Sequence, residues 1–483
     1  MTRRKFNYYV DLSHKTHLPI LTLALPGTKM YIINSLSLIQ SVQKQPRTLA
    51  FPPIEAKFAN RVCGVSPEAH AICMNNVNGE DGNFGLSMDT YSALRDALSP
   101  GAGLDQMNRL MIQNVASSLD SLIPSGDKVV QIGLSAWLRD VVTFATTNSV
   151  YGPKNPFKRA DIRDDFWKYE SQLMTILLGI FPSILARTGL RARDRIAQAF
   201  EQYFHAGGFE EASVLMHNRY NVGTRNGVPV ADIARYEVGG VIAILVNTAP
   251  AAFWLMYFVY ADAKVLEDIR KEVSAIVEVK QESNGEIIRS LDITNLKSSC
   301  PLLLSAFQET LRHRSMGTSV REVMTDTILD GKWLLKKNSM IQMPSRVIHL
   351  DSDIWGNDVH EFKAGRFLTA TGKEKSKDQK RANPAAFRAF GGGSTLCPGR
   401  HFATNEILAV VSMFVMRFDM KPVSGQWELP KIDNTNVAAV IMEPDTDIEV
   451  VASVRKGFED GKWAFSLRDS EMIFAVVDED RAA

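Results

Sequence analysis

The chain has 483 residues and a mass of 53.7 kDa, with 45% hydrophobic and 23% charged side chains. That is the composition of a soluble globular protein, not of a disordered, collagen-like or small disulfide-stapled one. Its 55 basic and 54 acidic residues leave a net charge of +1, so there is no basic excess for reading a phosphate backbone and no nucleic-acid partner is expected. The cysteines at 63, 73, 300 and 397 contain no CxxC spacing, which supports neither a disulfide framework nor a structural zinc site. Cys63, Cys73 and Cys300 read as small buried hydrophobes; Cys397 lies in a context of its own.

The N-terminus, MTRRKFNYYVDLSHKTHLP, is basic but lacks an apolar core, so it is no secretory signal, and neither end carries a lipidation signal. Residues 19–34 read as two strands around a Pro26-Gly27 turn. From about Asp89 to Glu282 the pattern is mostly helical, with Val265, Leu266, Ile269, Val273, Ile276 and Val277 at helical spacing until Asn284-Gly285. Within this stretch, Val238 to Tyr260 runs without a charge. Its length suits a membrane span, but its Gly239, Gly240, Asn247, Thr248 and Pro250 suit a helix buried all round in a large protein equally well.

Residues 326–343 switch back to strands, with Asp330-Gly331 as a hairpin turn. Lys373–Arg381 reads as a solvated charged loop, a helix follows Cys397, and the tail after about 420 reads as short strands and loops. No repeat or low-complexity linker divides the chain. It reads as a single large domain, mainly α with a minor β region.

The chemistry concentrates at Phe390-Gly-Gly-Gly-Ser-Thr-Leu-Cys397-Pro-Gly399, which has the form FxxGxxxCxG. A thiolate is a soft metal ligand. A helix beginning just behind it offers free N–H groups and a positive dipole end, which lower a thiol pKa and hold the sulfur. Pro398 suits an early helical position, and glycines at 391–393 and 399 let the backbone lie flat against a wide planar group. Haem held by a cysteine thiolate fits these features. Upstream, Glu309-Thr-Leu-Arg312 places opposite charges at i,i+3 on a helix, and Trp355-Gly-Asn-Asp-Val-His-Glu-Phe362-Lys-Ala-Gly-Arg366-Phe367 lies between the two segments.

In this order and spacing the three segments resemble a cytochrome P-450, a haem-thiolate oxygenase. The resemblance runs from about residue 19 to the last strands, so the expected organisation is a P-450 domain over 19–483 behind a short segment, 1–18. That segment shows neither the membrane anchor nor the proline-rich hinge of membrane-bound members. The resemblance makes Cys397 the axial ligand to the iron of haem b. Phe390 would pack near the sulfur, and Gly391, Gly393 and Gly399 would lie against the cofactor. Glu309, Arg312 and Arg366 would form a buried charge triad that locks the cysteine loop. Arg95, in Tyr91-Ser-Ala-Leu-Arg95 where the family usually has WxxxR, and Arg321 are candidates for haem propionates, since arginine suits carboxylate recognition. The competing reading of each is an ordinary surface cation.

The long apolar run becomes the helix that crosses the haem. There the family usually carries an acid and then an alcohol for proton relay; here Val246 and Asn247 take those places, with Thr248 next. Pro250 lacks an N–H and crowds the Val246 carbonyl, so the helix is expected to open. Asn247 is either a catalytic amide or a structural one that satisfies the opened backbone. The string Val-Asn-Thr-Ala-Pro-Ala-Ala-Phe-Trp, and Thr395 where most members have a propionate-binding arginine, resemble the branch of sterol 7α-hydroxylases and prostacyclin synthase.

The resemblance implies a monooxygenase that takes electrons from an NADPH-dependent reductase and oxidises a bulky lipophilic molecule such as a sterol, terpenoid or alkaloid, in the manner of fungal secondary-metabolism members. The Phe253-Trp254 pair is expected either to face an apolar pocket over the haem or to be core packing. A haem-thiolate isomerase or dehydratase working without reductase, and a haem-binding protein without turnover, are the alternatives. The expected location is intracellular, in the cytoplasm or at the surface of the endoplasmic reticulum membrane.

Overall fold

Pro26-Gly27 turns the chain sharply, with Gly27 at φ +78°, and joins strands Ile20–Leu25 and Thr28–Ile33 in an antiparallel hairpin. Met340–Pro344 adds in parallel to the second of these. Thr318–Val323 and then Leu49–Ala50 complete a five-stranded sheet. The computed structural model describes residues 7–124, 127–368, 386–433, 439–469 and 476–477; the charged stretch Lys373–Arg381 lies outside them. Thr327–Leu329 and Trp333–Leu335 pair as expected around Asp330-Gly331, both at positive φ, the geometry of a type I′ turn.

One element differs from the sequence reading. The helix Ala263–Ser274 stops before Val277, and Val277–Gln281 is a strand paired antiparallel with Ile287–Asp292 across the Asn284-Gly285 turn. Ile276 and Val277 continue the helical spacing only by coincidence of phase. A β-branched residue at 277 and 279 and a turn-forming Asn-Gly favour the hairpin once a partner strand, Lys462–Ser466, lies alongside.

The rest is a helical mass around the apolar run. Helix Val230–Leu245 ends, and Thr248–Tyr260 begins after a two-residue break. Pro250 has no N–H to give the Val246 carbonyl, so the opening falls where expected. Thr248 Oγ1 donates to Ile244 O at 3.3 Å across the break. All thirteen residues of Thr248–Tyr260 are buried, packed against helices Leu134–Tyr151, Pro301–Arg314 and Arg400–Arg417. Fully burying a side chain of the size of Phe253 or Leu255 is worth roughly 1.5–3 kcal/mol. The run is therefore the central core helix of this domain.

Trp254 and Phe253 belong to that core and not to a cavity wall. Trp254 Nε1–H donates to Met442 O at 2.6 Å, and the Arg314 guanidinium lies 3.8 Å from the centre of its ring.

Candidate active site

Cys397 sits on a loop that the backbone folds back on itself. Its N–H donates to Phe390 O at 2.9 Å, closing a turn in which Gly391 and Gly393 take φ +83° and +62°. A Cβ at Gly391 would stand 3.2 Å from the Thr395 carbonyl, so this tight return needs glycine for both reasons. Helix Arg400–Arg417 starts behind the loop with Gly399 as its N-cap, which puts Pro398 just before the helix instead of in its first turn. Arg400 Nη1 donates to Cys397 O at 2.9 Å. The thiol itself is pushed up by burial, against the pull of the Gly399 and Arg400 N–H groups and the Arg400 charge. The helix start therefore pulls the thiol pKa down as expected, while burial outweighs it.

Behind the loop, the charge triad forms as expected. Glu309 and Arg312 are fully buried. Arg312 Nε and Nη2 reach the two Glu309 oxygens at 2.7 and 2.9 Å, and Arg366 Nε reaches Oε1 at 2.8 Å. Arg312 Nη1 also donates to His349 O and Val359 O at 2.7 and 3.0 Å, and Arg366 Nη1 to Trp355 O at 3.0 Å. A bidentate pair plus carbonyl acceptors satisfies the buried charges. It ties helix Pro301–Arg314 to the segment 355–367 that precedes the cysteine loop.

Cys397, Phe390, Gly391 and Gly399 line one side of a cavity of ≈ 340 Å³, and Asn247 and Thr248 line it from the broken helix. Arg321 is on its wall too, 2% exposed. Arg321 Nη2 donates to Thr395 Oγ1 at 2.6 Å and Nη1 to Val320 O at 2.7 Å, and burial pushes its pKa down to about 10. Among the described residues it has no carboxylate partner. A buried guanidinium without a protein anion is matched by an anionic group from a ligand. That feature, together with a thiol and the Gly391 and Gly399 backbone at the wall, fits haem and its propionates. Thr395, which replaces the family arginine, here serves as the acceptor that aims Arg321.

Two expectations change. Arg95 is exposed and absent from the cavity wall. Helix Leu86–Leu98 turns Ala93, Ala97 and Leu98 inward, and Arg95 lies on the opposite side, where water solvates its charge, so its reading as a surface cation holds. Gly393 is exposed and outside the wall as well; a Cβ there would meet Gln43 Cγ at 3.0 Å, so it serves the turn. Sequence reasoning also missed Arg388, which lines the cavity at 2% exposure and donates from Nη2 to Ser319 Oγ at 3.3 Å. The only signal for it was a charge inside the apolar string Ala-Ala-Phe-Arg388-Ala-Phe390.

Asn247 has a defined orientation. Its side-chain oxygen accepts from Val440 N–H at 2.6 Å and Ile441 N–H at 3.2 Å. Two donors demand the oxygen there, so the NH₂ end is left for the cavity. The structural role is real, but it satisfies a distant backbone segment and not the opened helix. Thr248 spends its hydroxyl proton on Ile244 O and so offers the cavity lone pairs only. The break thus presents one donor and one acceptor side by side, on a wall that otherwise includes Ala243, Ile244 and Ala251.

Comparison with known proteins agrees with this site. Residues 241–450 match the family model described as Cytochrome P-450. The chain is 35% identical over 474 residues to cytochrome P-450 monooxygenase nodJ of Hypoxylon pulicicidum, covering 98% of this chain and 90% of that one. It is 28% identical to a cytochrome P-450 monooxygenase of Gibberella zeae, over 95% of this chain and 86% of the relative. It is 24% identical to the cholesterol 7-alpha-monooxygenase of Cricetulus griseus, over 76% of each, which matches the branch suggested by the Asn247 and Thr395 departures. With its thiol loop, buried triad and propionate-ready arginine in place, the chain belongs to the cytochrome P-450 family and is a haem-thiolate monooxygenase.

Proposed function

We propose that this enzyme inserts oxygen into a bulky lipophilic small molecule, a terpenoid, sterol or alkaloid, in natural-product biosynthesis, with an NADPH-dependent reductase as electron source. The observation that carries the reading is the cavity between Cys397 and the broken helix, whose wall is mostly apolar and whose polar groups on the side of the broken helix are Asn247 and Thr248. An apolar cleft with few convergent polar groups selects a lipophilic ligand and orients it. When bound, thiolate-ligated haem supplies the activation of dioxygen. Cys397 would hold the iron, and Arg321 would pair with a propionate. Asn247 donates from Nδ2–H and Thr248 accepts at Oγ1, so the two together hold a water or an oxygen atom at the helix break. Ile244 and Ala251 exclude bulk water. An amide supplies no acidic proton, so proton delivery here depends on such a held water.

The amide also favours a second reading, rearrangement of a peroxide without reductant, because that reaction needs orientation and no proton relay. Incubation with a terpenoid, sterol and alkaloid panel, reductase, NADPH and isotopically labelled dioxygen tests both. One labelled oxygen in the product supports oxygenation. A rearranged product with no reductant consumed overturns it.

For location, we propose peripheral contact with a membrane surface. Leu178, Ile180, Phe181, Ile184 and Leu185 are each more than half exposed and adjacent in the chain, with exposed Arg187 and Arg191 beside them. An apolar knob with flanking cations suits insertion into an anionic interface. Flotation with anionic vesicles that is lost on Phe181→Asp supports this; equal flotation of both proteins refutes it.

A further inference from the structure

A second cavity, of ≈ 220 Å³, lies on the other side of helix Val230–Leu245, toward helices Pro52–Cys63, Leu86–Leu98 and Val214–Arg225. Small residues make the space. A Cβ at Gly239 would stand 2.8 Å from Cys63 Sγ, and one at Gly240 would stand 2.8 Å from Arg219 Nη1. Ala243, one turn on, lines both this cavity and the one above Cys397. It is exposed although it lies deep in the core helix, because its methyl faces the cavities. The two spaces therefore meet at one of the smallest side chains available.

The charged groups of the second cavity are unequal. Glu237 accepts from Tyr151 Oη–H at 3.1 Å and from Arg219 at 3.3 Å, so those three satisfy one another. Thr90 donates to Leu86 O at 2.7 Å and Tyr236 to Ala69 O at 3.2 Å. Glu55 lines the cavity with no cation paired to it among the described residues. Burial holds the carboxyl above the usual range although the Tyr91 hydroxyl hydrogen-bonds to it and pulls the other way, and that one neutral donor leaves further lone pairs of the carboxyl unused. A carboxyl that lines an apolar space with one neutral donor and no cation stays under-satisfied until a second donor meets it.

We propose that this compartment receives the end of the substrate remote from the oxidised carbon, with Ala243 as the threshold and Glu55 as the anchor for a hydrogen-bond donor there, an amine or a hydroxyl. The proposal rests on the monooxygenase reading and narrows its substrate class to lipophiles that carry such a donor away from the reacting carbon.

The test uses imidazoles, whose nitrogen binds the haem iron and shifts the Soret band. 1-Phenylimidazole probes the first cavity alone. Octyl and decyl imidazoles ending in an amine, a hydroxyl or a methyl group reach toward the second. The amine or hydroxyl form is expected to bind the native holoenzyme at least tenfold more tightly than the methyl form of equal length, and Glu55→Leu is expected to abolish that difference. Ala243→Leu should weaken all the long ligands at least tenfold more than 1-phenylimidazole. Equal affinity for the three end groups in the native protein overturns the anchor, even where Glu55→Leu yields no folded protein. Long ligands weakened no more than 1-phenylimidazole by Ala243→Leu overturn the threshold. Failure of 1-phenylimidazole to shift the Soret band of the native protein would instead strike at the haem-thiolate reading beneath both.

Discussion

Arg312→Ala is the most incisive test of the scaffold behind the cysteine loop. The substitution removes two bonds to Glu309 and three to the His349, Val359 and Glu361 carbonyls, with neither Arg312 nor Glu309 exposed to solvent. Glu309 keeps Arg366 Nε at 2.8 Å and Lys363 N–H at 3.2 Å, so it is under-compensated but not orphaned. Breaking a buried pair by removing one partner costs about 3–5 kcal/mol. Unfolding entropy of about 2.1 cal/mol/K per residue gives about 1 kcal/mol/K for a chain of this length, so the midpoint should fall by about 3–5 °C. The local effect is larger than the global one, because the broken bonds tie helix Pro301–Arg314 to the segment that leads into the cysteine loop.

The expected outcome is therefore a soluble protein with a small fraction of the native haem content, read as Soret absorbance per polypeptide alongside a melt at fixed scan rate. Arg312→Lys should recover only part, since an ammonium does not reproduce the two-pronged contact. Full haem occupancy and an unchanged midpoint in Arg312→Ala, with only the product profile altered, would refute the reasoning.

Cys397→Ala should lose the red-shifted carbon monoxide band that thiolate ligation produces; persistence of that band would displace Cys397 as the iron ligand. Arg321→Ala should lower haem retention while Arg95→Ala leaves it unchanged, as a haem-release assay to an acceptor globin would show, and the reverse order would contradict the cavity geometry. Asn247→Ala should keep haem and substrate binding but divert reductant into hydrogen peroxide. Asn247→Asp should behave similarly although its carboxylate still accepts from Val440 and Ile441, because it lacks the N–H donor; peroxide release at the native level in both would leave Asn247 a purely structural amide. Glu406, fully buried with Thr146 donating at 2.6 Å, has its pKa raised by burial from 4.5 to about 8. The folded state thus binds a proton that the unfolded chain releases, so this group's favourable contribution is complete below 4.5 and is lost as pH rises to about 8. Glu406→Gln should flatten that decline in thermal midpoint, and an identical pH profile in both proteins would count against the assignment.

What could be read from the chain alone was what short stretches dictate. The glycine-rich loop around Cys397 needs positive φ at particular steps, the i,i+3 pair Glu309–Arg312 needs one helix face, and Pro250 breaks its own helix wherever that helix packs. Each rests on interactions within one or two turns. What tertiary structure decided depends on partners far along the chain. Val277 became a strand residue because Lys462–Ser466 lies beside its hairpin. Arg95 turned to water because Ala93, Ala97 and Leu98 took the inward face of its helix. The orientation of Asn247, and with it the choice between donor and acceptor at the cavity, is set by backbone N–H groups at 440 and 441. An amide reads the same from either end in a sequence; only a non-local donor pair makes its two ends distinct.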